Sequence, residues 1–185
     1  MTELQAGLHE VVRAYSEHED RAVYSDDMTY RYLFERRWGD GAAAVWVLLN
    51  PATGDTDGKP RPTLARCLAR TRAWGFDAIQ IVNLFSFRAT KPRELLTAAD
   101  PIGPSGDTYL DATTAGAGRV VAAWGAHGSL LGRGREVAAR LPRGTLCLGL
   151  TRKLQPRHPL YVPADFEPLV LDPWKDDELD FQVLQ

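Results

Sequence analysis

The sequence predicts an α/β fold: a three-layer sandwich with a central four-stranded, mostly parallel sheet, plus an N-terminal helix and an edge strand or hairpin. Two observations predict it. Between residues 44 and 150, apolar runs of strand length alternate with segments of helical period, the order of parallel strands joined by helical crossovers. The runs themselves, AVWVLL at 44–49 foremost, lack an alternating polar face, as strands covered on both sides do.

Residues 3–20 can place Leu4, Leu8, Val11, Val12 and Tyr15 on one face of an amphipathic helix. MTYRYLFERRW (28–38) alternates in strand fashion and leads to Gly39-Asp40-Gly41, an antiparallel edge strand or hairpin. AVWVLL is the first buried strand, TLARCLARTRAWG (63–75) a helix stopped by Gly75, and AIQIVNLF (78–85) the second strand. A long, proline-rich connection, SFRATKPRELLTAADPIGPSG, follows. GDTYLDATTAGA (106–117) suits a helix, RVVAAW (119–124) a strand, LLGRGREVAARL (130–141) a glycine-interrupted helix and TLCLGL (145–150) the fourth strand. The segment from Asp172 to Gln185 is an acidic tail. Residues 1–185 read as one domain, with its core at about 28–171.

The charge balance is near neutral, at −2. That gives no global basic footprint for a duplex, although a local basic patch remains open. No apolar run approaches a membrane span, and the N-terminal stretch lacks a basic start followed by an apolar segment. No membrane partner is expected, and a cytoplasmic location is. Cys67 and Cys147 have no CxxC neighbour and read as buried thiols. The four histidines are scattered without metal-ligand spacing, so no metal is expected. GAHGSLLGRG fits neither GxGxxG nor a Walker sequence, so no cofactor is expected.

Ligands of open parallel sheets bind beyond the carboxyl ends of the strands. Strand one ends in Asn50-Pro51, followed by Ala52-Thr53-Gly54-Asp55. Strand two ends in Asn83, then Leu84-Phe85-Ser86-Phe87-Arg88. Strand three ends in Trp124-Gly125-Ala126-His127, and strand four in Thr151, leading to Arg157-His158-Pro159-Leu160-Tyr161. Four such ends on one edge suggest a site.

A strand ending in Asn-Pro, a second ending in Asn, a third in Trp-Gly, and a His-Pro after the fourth resemble the uracil-DNA glycosylase superfamily. LLNP at 48–51, NLFSFRAT at 83–90 and HPLY at 158–161 are also similar to signatures of a bacterial family of uncharacterised proteins, a domain of unknown function. The glycosylase resemblance implies hydrolysis of an N-glycosidic bond of a nucleobase. Asn50 would position the water, Asn83 read the base edge, and His158 donate to the departing base, with its neighbour Arg157 disfavouring the imidazolium. Phe85 or Trp124 would stack on a base. Pro51, Thr53, Asp55, Gly125 and His127 would complete the pocket, and Arg88, Arg61, Arg66, Lys91 or Arg93 would meet a phosphate. The His-Pro turn continues into Leu-Tyr-Val, so the substrate is DNA or a free nucleoside or nucleotide. A non-hydrolytic nucleotide- or nucleic-acid-binding module, or another enzyme using the same pocket, is the alternative. Each residue also has a structural reading, Asn50-Pro51 as a turn former and Trp124 as core among them.

Overall fold

The computed structural model describes residues 7–51 and 61–172. Among these, β1 (Leu8–Ala14), β2 (Glu19–Ser25), β3 (Arg31–Arg37), β4 (Ala43–Leu48), β5 (Ala78–Asn83), β6 (Val120–Ala122), β7 (Leu146–Cys147) and β8 (Leu169–Val170) form a single sheet. Their spatial order is β1-β2-β3-β5-β4-β6-β7-β8. Helices α1 (Pro62–Ala73), α2 (Gly106–Ala115) and α3 (Arg133–Arg140) connect them.

This eight-stranded mixed sheet overturns the expected four-stranded, mostly parallel one. Parallel pairing is confined to β5-β4-β6-β7. The pairs β1–β2, β2–β3, β3–β5 and β7–β8 are all antiparallel. The expected N-terminal helix is also corrected, since residues 8–14 are strand β1. Leu8 and Val11, three residues apart, imitate a helical stripe. The β-branched pair Val11-Val12 favours extended backbone, and a continuous ladder from Leu8↔Ser25 to Ala14↔Glu19 holds it there. The strand expected at an edge is β3, which lies inside the sheet between β2 and β5.

Strand alternation sorts the core into two clusters. Val45 and Val47 of β4 join Val82, Leu110 of α2 and Val137 of α3 in one. Trp46 and Leu48 join Ile79, Ile81 and the Leu64, Cys67 and Leu68 of α1 in the other. Hence the unbroken apolar reading of β4: both faces are covered. Pro62 opens α1 at a position where its missing N–H is harmless, and Gly75, at φ +78°, ends the turn after it. Trp46 Nε1 donates to Thr71 Oγ1 at 3.0 Å, pinning α1 to β4.

Two ionic groups tie elements together. Arg36 of β3 donates to both oxygens of Asp20 of β2 at 2.6 and 2.7 Å, with both residues buried. Arg133, 1% exposed, begins α3. It donates to the Leu84 carbonyl at 2.9 Å, to Glu136 at 2.6 Å, and to Asp107 of α2.

Candidate functional site

From β4 the chain passes through α1 to β5 on one side, then through α2 to β6 on the other side of β4. Winding therefore reverses between β4 and β6, and a crevice opens beyond the strand ends at such a point. A cleft of about 760 Å³ lies there. Leu48 and Ile81 contribute from the sheet, and Thr63 and Leu64 from the first turn of α1. Asn50 lines it from the end of β4, Trp124 and Gly125 from the end of β6, His127 from the following 3-10 segment, and Arg157 and His158 from the loop beyond β7.

Asn50 is half-buried, and its orientation is set by the proline-rich connection. Its Nδ2 donates to the Ala89 carbonyl at 2.7 Å and to the Pro51 carbonyl at 3.2 Å. An amide has one donating and one accepting end. With Nδ2 held by backbone carbonyls, Oδ1 is the end left for a ligand or water. From the sequence this connection reads as long and proline-rich, with Arg88, Lys91 and Arg93 as its phosphate candidates; its Ala89, Thr90 and Pro92 line the cleft instead.

His158 caps the short 3-10 turn Pro159–Tyr161, its Nδ1 accepting from Leu160 N at 3.4 Å. An accepting Nδ1 in a neutral imidazole leaves the proton on Nε2. Burial pushes the His158 pKa below the ordinary 6.5. The expected cause, a neighbouring Arg157, is corrected: burial alone accounts for the shift, and Arg157 is exposed with Nε bonded to the Leu150 carbonyl at 3.1 Å. Gly125 N donates to the Pro156 carbonyl at 2.8 Å, joining the end of β6 to the His-Pro loop. Gly125 has φ +79° and ψ −176°, a region essentially reserved for glycine. A Cβ there would stand 3.0 Å from the Cβ of His158.

Trp124 is 2% exposed, with Nε1 donating to Gln155 Oε1 at 2.9 Å. Asn83 ends β5 in register with Leu48, on the sheet face that also carries Ile79 and Ile81. It is 4% exposed, and neither Nδ2 nor Oδ1 has a hydrogen-bond partner. An unpartnered buried amide is costly; Asn83 does not itself line the cleft, although its register partner Leu48 and its strand neighbour Ile81 do.

The structure does not bring every expected residue together. Phe85 is fully buried in the opposite cluster, beneath α2 and α3, and offers no stacking face. Arg88 turns to the β2–β3 turn, donating to the Met28 carbonyl at 2.9 Å and lying over Tyr24. Pro51 is buried. Arg61, Arg66, Lys91 and Arg93 are exposed and do not line the cleft. Thr53 and Asp55 lie outside the described residues. Sequence reasoning missed Arg31, a guanidinium 2% exposed that lines the cleft and packs over Phe34. It sits in RYLFERR, part of the segment whose alternation predicts an antiparallel edge strand or hairpin.

These features define an α/β protein with a ligand-sized cleft at the switch point of the parallel part of a mixed sheet. The chain belongs to the family described as "Protein of unknown function (DUF1643)", whose pattern matches residues 31–160. That span covers every described lining residue except Tyr161. No curated protein and no solved structure matches the chain. Among the described residues, no group of three or more His, Cys, Asp or Glu could hold a metal ion. No helix of the described residues is long and apolar enough to cross a membrane.

Proposed function

We propose that the cleft takes a nucleobase-containing substrate, in DNA or as a free nucleoside or nucleotide, and hydrolyses its N-glycosidic bond. The strand-end motifs resemble the uracil-DNA glycosylase superfamily, and the observation that carries the reading is the fixed amide of Asn50. Cleavage of this bond builds positive charge on the sugar and negative charge on the departing base. A water held by Asn50 Oδ1 is positioned for the sugar carbon. The amide is too weakly basic to deprotonate it early, so its contribution is placement. The Nε2–H of His158 donates to the base oxygen on which charge develops, and a half-buried neutral imidazole does so without prior proton uptake. Asn83, buried beside the lining Leu48, holds an unpartnered donor and acceptor of the kind a base edge requires once the base reaches past Leu48.

A second reading is favoured by Asn50 being an amide. A module that binds a nucleotide or nucleic acid without hydrolysis, or another enzyme using the pocket, has no need of a base at that position. Release of free base separates them. Single- and double-stranded oligonucleotides containing uracil or mismatches, and a panel of nucleosides and nucleotides, are incubated with the protein and resolved by chromatography. Asn50→Ala should lower turnover about 100-fold or more while leaving ligand affinity within a few-fold. No release from any substrate by folded protein would leave the binding module as the better account.

A further inference from the structure

The base-binding reading leaves open what the flat face of the base rests on, because Phe85 is buried on the far side of the sheet. Of the Phe, Tyr and Trp rings among the described residues, Trp124 and Tyr161 line the cleft. Trp124 is enclosed. A Cβ at Gly128 would lie 2.0 Å from its Cδ1, and one at Gly134 would lie 3.0 Å from its Nε1, so two backbone segments press on the indole. Tyr161 is the opposite case, at 79% exposed. It closes the turn that His158 begins, with its N–H donating to the His158 carbonyl at 3.0 Å. The two rings stand 5.8 Å apart, tilted by 51°. The ring is thus carried at the far end of the three-residue turn that His158 caps, beside the proposed hydrogen-bond donor.

We propose that Tyr161 is the stacking platform for the base, an inference that rests on the base-binding reading. A large exposed aromatic at a cleft mouth gains contact area when a flat ring covers it. Every nucleobase presents such a face, so the contact is tolerant of base identity. Selectivity among bases then belongs to Asn83 and His158, and Tyr161 sets affinity for all of them.

Titration calorimetry on the full chain tests this with a panel of pyrimidine and purine nucleosides, and with 2-deoxyribose 5-phosphate as a base-free ligand. Tyr161→Ala should raise Kd for the nucleosides that bind by about 5- to 150-fold and leave the base-free ligand unchanged. Tyr161→Phe should stay within about twofold, because the ring, not the hydroxyl, makes the contact. Near-UV circular dichroism checks that both variants are folded. If wild-type protein binds nucleosides and Tyr161→Ala binds them equally well, the platform is refuted and the glycosidase reading stands. An equal loss for the base-free ligand refutes it too, since the effect would then come from cleft shape. Failure of the wild type to bind any nucleoside or a uracil-containing single-stranded oligonucleotide in the same calorimeter overturns both.

Discussion

Gly125 joins the two sides of the cleft, and two separate constraints meet on it. Its backbone conformation excludes a side chain, and His158 occupies the space one would need. Gly125→Ala should destabilise the fold by about 1–3 kcal/mol and displace His158, lowering any base release with it. Urea unfolding and a turnover assay measured on the same preparation read both effects. His158 itself sets a pH dependence. Its folded pKa lies below the ordinary 6.5 that the unfolded chain keeps. The unfolded chain therefore takes up a proton first as the solution acidifies. This contribution to stability is full above that ordinary value and is lost as pH falls through the depressed folded value. The urea midpoint of wild type should drop further than that of His158→Gln between about pH 7.5 and about pH 5. Equal drops would show that the imidazole is not coupled to folding. His18 is also depressed, mainly by burial and then by Arg36, so the comparison is between variants and not with an absolute curve.

At the scale of elements, the two ionic groups differ in burial and so in their expected effect. Asp20 and Arg36 are both nearly inaccessible, with side chains 2% and 3% exposed. Asp20→Ala leaves a guanidinium buried without its carboxylate and should cost about 3–5 kcal/mol. Around Arg133 the carboxylates of Asp107 and Glu136 are 42% and 52% exposed, so solvent can replace the cation for them. Arg133→Met should cost about 1–3 kcal/mol, the penalty of stripping the donor from the buried Leu84 carbonyl. Denaturation of the two variants side by side should rank Asp20→Ala as the more damaging. The reverse order would mean that the α2–α3 junction, and not the β2–β3 ladder, limits stability. Asp27 shows the same chemistry at the surface. Hydrogen bonds from the Ser25 hydroxyl and from Thr29 hold its pKa down to about 2, and they define the β2–β3 turn on which Arg88 rests.

For the whole molecule, the antiparallel and parallel parts share the ladder Phe34↔Ile81 to Arg37↔Ala78. Splitting them would expose Phe34, Ile79 and Ile81, all at most 2% accessible. Far-UV and near-UV signals should therefore follow one transition, and two resolved transitions would show that the halves fold separately. The segments from 44 to 150 were legible because buried strands and amphipathic helices write themselves in local periodicity. The N-terminal hairpin was not, because Leu8, Val11 and Val12 suit a helix as well as a strand and only pairing with β2 decides. Of the site, the strand ends Asn50, Trp124-Gly125 and the His-Pro turn were readable from position alone. Phe85 was misplaced because β5 ends at Asn83: strict alternation would return Phe85 to the face of Asn83, but beyond the strand end Leu84 and Phe85 both enter the cluster on the other side. Arg31 and the lining residues Ala89, Thr90 and Pro92 were missed because their role arises from tertiary approach, which leaves no local mark.

The bond from Asn50 Nδ2 to the Ala89 carbonyl has a consequence for substitution. An aspartate at this position would set a carboxylate oxygen against a carbonyl oxygen at 2.7 Å, two lone-pair bearers with no proton between them. It would have to bind a proton, swing away, or push the neighbouring loop aside. The choice between amide and acid at residue 50 is thus made by a backbone atom 39 positions downstream. Unless the acid keeps a proton or swings away, exchanging one for the other requires a compensating change near Ala89, which couples the two positions.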